Sequence, residues 1–209
     1  MVNIIFARHP ETEGNADKKL IWSADIPLSE KWIRQVFPLV KHVQNNIEIK
    51  NRPVNIFTNK LERCWIVAAL CRNTLTEFTQ WIYSVERNLM ERDFGKLQHK
   101  TKEEILHLFP QYNNLDTLLK QNWHSFESTE RVRQRVHNIL HKIVTHYPDD
   151  NNIIFSSSSI GRSIISVLLK HKEEDFEKIH GTGPRNCELR KRTSKYPDKI
   201  ERNALLVSF

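Results

Sequence analysis

Phe6-Ala7-Arg8-His9-Pro10-Glu11-Thr12-Glu13-Gly14-Asn15 is the stretch from which the rest of the chain is read. The apolar run Val2 to Ala7 reads as a buried strand, and it stops at an Arg-His pair followed by Pro10 and a polar, turn-rich segment. In an open parallel sheet, functional groups gather at the carboxyl ends of the strands, and Arg8 and His9 sit at such an end. An arginine offers a planar fork of donors for phosphate or carboxylate, and a histidine can transfer protons or act as a nucleophile. A purely structural alternative has His9 packed at the strand end and Arg8 paired with Glu11 or Glu13. This pair alone favours the structural alternative.

Composition narrows the classes. The chain has 209 residues, 39% hydrophobic and 27% charged, which suits one globular domain spanning 1–209 with a decorated loop. Net charge is +7, so anionic ligands fit. The basic residues are scattered apart from Arg185 to Lys195, and no nucleic-acid-binding motif is present, so no nucleic-acid partner is expected. Cys64, Cys71 and Cys187 are odd in number and lack CxxC spacing, which indicates neither a disulfide framework nor a zinc site. The amino terminus lacks a signal-peptide pattern and no stretch approaches membrane-spanning length. A reducing, cytoplasmic setting without a membrane partner is the expectation, and oligomeric state is left open.

Further along, Asn15 to Pro27 reads as a loop. Ser29 can cap a helix with Trp32, Val36, Leu39, Val40 and Val43 on one face, which Pro38 should kink or interrupt. Val54 to Thr58 and Ile82 to Val85 read as strands, with a helix rich in Trp65, Val67, Ala68 and Leu70 between them. Residues from about 96 to 127 read as a lid-like excursion with helical pieces near Glu103 to Phe109 and Leu115 to Leu119. Thr129 to His146 is an amphipathic helix, Asn152 to Phe155 a strand ending in Ser156 to Ser159, and Ile160 to Leu169 a helix. Two last strands are expected around Asn186 to Arg190 and Ala204 to Phe209. The alternation predicts an α/β fold, a three-layer α/β/α sandwich with a mostly parallel central sheet.

Strand ends then carry comparable chemistry: Arg8-His9, Arg63 just past the second strand, Glu91 past the third, and the serines past the fourth. Two arginines and a histidine converging on one crevice make a phosphate site, and a desolvated Glu91 can donate a proton. His137 and His141 lie one helical turn apart but lack a third ligand, so a solvated helix face is the better reading and no metal is expected.

The pattern resembles the histidine phosphatase superfamily, the phosphoglycerate mutase-like proteins. Arg8 to Asn15 is similar to that family's RHGETxxN signature, and Asp25-Ile26-Pro27-Leu28-Ser29-Glu30 to its D-x-P-L-[ST]-x block. Thr58 to Cys64 resembles the S-x-L-x-R-A block, and Leu89 to Gly95 the L-x-E-x-x-F/Y-G block. The resemblance implies that His9 attacks a phosphomonoester, that Arg8 and Arg63 hold the phosphoryl oxygens, that Glu91 protonates the leaving alkoxide, and that Asn15 adds a neutral hydrogen bond. It implies no cofactor and a small phosphorylated substrate as partner.

The chain departs from the family at the V-S-H-G-G-x-x-R block, which reads Phe155-Ser156-Ser157-Ser158-Ser159-Ile160-Gly161-Arg162. Arg162 keeps the register, so Ser157 stands where the second histidine is expected. Losing one preorganised donor costs roughly 10²–10³ in rate. Ile21-Trp22 stands where a polar residue and Gly usually lie beside the phosphate, and Trp22 should narrow the mouth. Pro10 replaces a usual Gly and is discounted. Gly181-Thr182-Gly183-Pro184 resembles a turn of the mutases, and nearby His180 is a candidate stand-in for the second histidine. The expected function is a metal-independent, slow phosphatase acting on a small phosphorylated metabolite. The alternatives are a degenerate module that binds a phosphorylated ligand or phosphoprotein without turnover and, further off, a phosphoglycerate-type mutase.

Overall fold

Strands buried on both faces read as continuous apolar runs because each face packs against helices, and the chain obeys this. In the computed structural model the described residues are 2–21, 24–45, 47, 52–75, 81–119, 126–168, 190–195 and 203–208. Their strands are β1 (Asn3–Arg8), β2 (Val54–Thr58), β3 (Trp81–Val85), β4 (Asn151–Ser156), β5 (Arg190–Lys195) and β6 (Asn203–Ser208). The helices are α1 (Glu13–Ala16), α2 (Trp32–Asn45), α3 (Glu62–Thr74), α4 (Lys102–Leu108), α5 (Leu115–Leu119), α6 (Thr129–His146) and α7 (Ser158–Leu168). The six-stranded sheet has the order β3-β2-β4-β1-β6-β5. Only β5 runs antiparallel to its neighbour.

Period-two alternation splits the strand side chains between two cores. Ile5, Ala7, Val54, Ile56, Ile153 and Phe155 pack with α2 and α3 through Val36, Leu39, Val67 and Cys71. Ile4, Phe6, Phe57 and Ile154 face the other way onto Val132, Val136 and Ile139 of α6 and Ile160 and Ile164 of α7. The molecule is therefore the α/β/α sandwich that the sequence predicts. Its parallel strands β1, β4, β2 and β3 end side by side, with Arg8 against Ser156 and Thr58 against Val85.

Polar pairs fix the register at the opposite end of the strands. On one face Asn3 Nδ2 donates to Asn151 Oδ1 at 3.2 Å, and on the other Asn55 Nδ2 donates to Asn152 Oδ1 at 3.0 Å. A one-residue slip would turn these buried amides into the opposite apolar layer, where they lose their partners. Asn152 Nδ2 also lies within hydrogen-bonding reach of the carbonyls of Asn3, Tyr147 and Asp150.

Four local features differ from expectation. α2 runs unbroken through Pro38, which lies on the exposed side of the helix, so the carbonyl that loses its N–H partner there can turn to water. Ser29 accepts weakly from the Lys31 N–H at 3.4 Å, but its hydroxyl donates to Glu11 Oε1 at 3.0 Å, so it ties two loops together rather than starting α2 directly. The segment expected to be loop begins with the single turn α1, closed by a reciprocal Thr12–Asn15 capping box. The strand expected at Asn186 to Arg190 is found as β5 at Arg190–Lys195, a wholly polar sequence; an edge strand needs no apolar alternation. Residues 186–189, Trp22, His180 and the 181–184 turn lie outside the described residues.

After β3, Phe94, Leu97, Ile105 and Leu118 form a third apolar cluster with Leu20, Phe109, Tyr112 and Phe126. This cluster is tied to the loop after α1, since Leu20 N–H donates to the Lys100 carbonyl at 2.9 Å and His99 N–H to the Leu20 carbonyl at 3.0 Å. Lys18 and His99 take left-handed backbone conformations at either side of this junction, with φ of 57° and 65°.

Asn152→Leu should lower stability by roughly 3 kcal/mol, because it takes from the Asn55 amide one of its two acceptors, leaving Asp150 Oδ2 at 3.0 Å, and strips buried carbonyls of the Asn152 Nδ2 donor. The check is urea unfolding, where a lower midpoint with an unchanged slope is expected.

Candidate active site

His9 is the first residue past β1, and its backbone N–H continues the ladder to the Ser156 carbonyl at 3.0 Å. Its side chain is 4% exposed. Nδ1 lies 2.6 Å from the Pro10 carbonyl, which can only accept, so Nδ1 carries the proton and Nε2 keeps its lone pair. Burial first, then the charges of Arg8 and Arg63, hold the imidazole well below its ordinary value of 6.5, against a smaller upward pull from the Pro10 carbonyl. The ring is thus a neutral imidazole of defined tautomer within the electrostatic reach of two cations.

Arg8 is half-buried at the end of β1. The Glu11 carboxylate, one of the partners considered for it, is engaged with the Ser29 hydroxyl and with Lys31 Nζ at 3.3 Å. Arg63 lies in the first turn of α3 and is 1% exposed, with Nη1 donating to the Ala24 carbonyl at 2.7 Å. The same loop supplies Asp25 Oδ1 to the Glu62 N–H at 2.9 Å, an anion at a helix amino terminus. Close packing makes this loop path possible: a Cβ on Gly14 would fall 1.3 Å from Ile21 Cδ1.

Asn59 joins the strand ends. Its Oδ1 accepts from Leu61 N–H at 2.9 Å, and its Nδ2 donates to the Leu89 carbonyl at 2.8 Å and reaches Ser156 Oγ at 3.4 Å. Ser156 Oγ donates to the same Leu89 carbonyl at 2.8 Å. The ends of β2 and β4 and the turn leading to Glu91 are held by this one knot. Glu91 is 5% exposed, and its Oε1 accepts from the Arg92 N–H at 2.9 Å.

Arg92, also buried, donates from Nε to the Glu127 carbonyl at 2.7 Å and stacks over the Phe94 ring at 4.4 Å. Burial brings its guanidinium down to about 10 against the attraction of Glu127 and Glu91, and Arg162 adds repulsion. Behind it, Arg135 grips Glu127 with a bidentate fork at 2.8 and 2.9 Å and donates to the Asn88 carbonyl at 2.7 Å. α6 thereby braces the turn that presents Glu91.

Ser157 is fully buried, with its hydroxyl 4.0 Å from Cys64 Sγ. Burial pushes the Cys64 thiol up to about 11, so it is a protonated, inert neighbour. Asn15 serves α1: its Oδ1 accepts from Thr12 N–H at 3.2 Å, and its own N–H donates to Thr12 Oγ1 at 3.3 Å. The shared electrostatics of His9, Arg8 and Arg63, and of Cys64 with Glu91 and Ser157, put these residues in one neighbourhood. Asn59, Asp25 and Arg92 are supporting residues that sequence reasoning missed. An Asn three residues before a helix and a buried Arg beside Glu91 leave only weak marks in a sequence.

No group of three or more His, Cys, Asp or Glu is placed to hold a metal among the described residues. The His137 and His141 rings stack with centroids 6.3 Å apart on the exposed side of α6. No helix among the described residues is long and apolar enough to cross a membrane.

Solved structures with the same fold include a mycobacterial hydrolase (18% identity, TM-score 0.76, covering 97% of this chain and 94% of that one). A mycobacterial glucosyl-3-phosphoglycerate phosphatase is similar at 19% identity and TM-score 0.73, covering 96% and 94%. A phosphoserine phosphatase from Entamoeba histolytica, in complex with phosphoserine, is similar at 16% identity and TM-score 0.71, covering 98% and 95%. No curated protein matches the sequence. The sequence does match the profile of the histidine phosphatase superfamily (branch 1) over residues 4–196, and the chain belongs to that family.

Proposed function

We propose that the protein is a phosphomonoester hydrolase that works through a phosphohistidine on His9. The observation that carries this reading is the buried imidazole with Nδ1 donating to the Pro10 carbonyl and Nε2 left as a lone pair beside two arginines. The Nε2 lone pair attacks phosphorus, the bond to the ester oxygen breaks, and protonated Glu91 gives its proton to the departing oxygen. Water then attacks the phosphohistidine, Glu91 takes its proton, and the P–N bond breaks to release inorganic phosphate and restore the imidazole. Arg8 and Arg63 balance the charge on the equatorial oxygens, Asn15 contributes its Nδ2, and no metal takes part. The substrate is a small phosphorylated metabolite, and the region from about 96 to 127 is its cover within a single 1–209 domain.

Ser157 favours a second reading. If it replaces a histidine donor, its enclosed hydroxyl beside Cys64 gives the phosphoryl group little help, and the site binds phosphate with slow or no turnover. Cys64 stands at the Ala position of its block and fills space next to the smaller Ser157, which makes the two a compensating pair.

Purified protein in the presence of a chelator should hydrolyse an aryl phosphate, and His9→Ala should lower turnover at least ~10³-fold. Turnover at the His9→Ala background would shift the assignment to the binding module. Ser157→His combined with Cys64→Ala should raise turnover by roughly 10- to 100-fold by restoring a donor in a site with room for it; unchanged kinetics would show that the crevice no longer accepts one.

Because only the neutral ring is nucleophilic, the acid limb of kcat/KM assigned to His9 should fall below pH 6.5. Stability follows the same shift. Below about 6.5 the unfolded histidine takes up a proton that folded His9 refuses, so stability falls as pH drops through 6.5 towards the depressed folded value and is unaffected above it. In denaturant titrations from pH 7.5 to 5, His9→Asn should show a shallower acid loss than the parent.

A further inference from the structure

β2 and β3 are parallel neighbours, and the loops that leave them are joined where the Glu86 N–H donates to the Thr58 carbonyl at 2.6 Å. Lys60 and Arg87 follow on those two loops and line the same cleft of about 750 Å³. Glu91 forms part of its wall. That volume suits a small metabolite. Val85, 55% exposed, and the half-buried Met90 give the cleft an apolar surface.

The charges in this cleft are unequally committed. Glu86 is engaged by Lys142 Nζ and the Ser84 hydroxyl, at 2.6 and 2.7 Å. Glu127 is held in the Arg135 fork, and Asp93 Oδ1 accepts from Gly95 N–H at 2.8 Å. Among the described residues no side-chain hydrogen bond or ion pair occupies Lys60 or Arg87, and both are exposed. Two uncommitted cations therefore line one cleft past the ends of β2 and β3, with β4 between β2 and the strand that carries His9.

We infer that Lys60 and Arg87 form a second anion subsite, and that the natural substrate carries a carboxylate or second phosphate on its leaving alcohol. The inference rests on the phosphatase reading above. With the reacting phosphoryl group between Arg8, Arg63 and His9, Glu91 meets the ester oxygen, and the alcohol portion extends past Glu91 into the cleft. Its apolar part lies against Val85 and Met90 and its anion meets the two cations. An uncharged alcohol leaves both cations unused.

The test compares phenyl phosphate with 4-carboxyphenyl phosphate in the parent protein and in Lys60→Ala/Arg87→Ala. The parent should favour the carboxylated probe. The double variant should lose about 10-fold in kcat/KM for that probe, a few-fold per exposed charge pair, and stay within about 2-fold for phenyl phosphate. Sodium chloride at about 0.5 M should erase most of the parent's preference. Equal losses on both probes, no loss on either, or no preference in the parent would overturn the subsite. Calorimetric binding of the two probes separates the two ideas: a preference that the double variant loses, seen without any turnover, supports the subsite and refutes the phosphatase reading. Brisk hydrolysis without discrimination does the reverse.

Discussion

A guanidinium that is 1% exposed must be surrounded by partners, because taking a full charge out of water costs several kcal/mol unless hydrogen bonds and counter-charges offset it. Arg63 sets that condition on everything around it. The Ala24 carbonyl approaches its Nη1, and the loop that brings this carbonyl is secured by Asp25 on the Glu62 N–H and by Gln98 Oε1 accepting from the Ala24 N–H at 3.0 Å. The loop after α1, the start of α3 and the excursion after β3 are thus mutually dependent. Removing the charge would release that dependence, and it would also relieve the imidazole of one of the two cations that add to burial in keeping it neutral.

A second dependence runs through Asn59. One amide caps the approach to α3, ties β2 to β4 through Ser156 and shares the Leu89 carbonyl with it. Glu91 lies two residues past that carbonyl, and from the other side Arg135 fixes Asn88. The turn that carries Glu91 is therefore held at Leu89 by Asn59 and Ser156 and at Asn88 by Arg135 of α6, while the Glu91 carboxylate accepts from the neighbouring Arg92 N–H. A braced turn with a lightly held carboxylate suits the proton exchange proposed for Glu91.

The strands and helices that build the two cores were legible because burial imposes a period. Val54–Thr58 and Thr129–His146 begin and end where their apolar spacing says. The features that escaped depend on polar groups with no period. β5 is polar and, among the described strands, lies at the sheet's edge, Pro38 is accommodated because its side of α2 faces water, and α1 exists through one capping box. The Arg8, His9, Arg63 and Glu91 neighbourhood was legible as motif blocks in order. The residues that hold it, Asn59, Asp25 and Arg92, act through backbone groups distant in sequence, which no local pattern reports.

The remaining question is what a site with two buried or half-buried arginines and an enclosed serine does to the two states of a phosphoryl transfer. In the proposed reaction Arg8 and Arg63 would meet a dianion as soon as it binds, so much of their attraction would be present in the ground state and lower KM without raising kcat. A donor that tightens only as charge moves toward the equatorial and leaving oxygens raises kcat, and in the proposed reaction that duty falls on Glu91 and on whatever group stands at Ser157. A hydroxyl enclosed against a thiol is too short and too neutral to supply it. On the proposed mechanism the chain should therefore hold phosphate well and turn it over slowly, with the loss appearing in kcat. A protein under that limitation gains selectivity from contacts made away from phosphorus, because binding energy realised on the leaving alcohol can position the ester against Nε2 even where the oxyanion is under-supported.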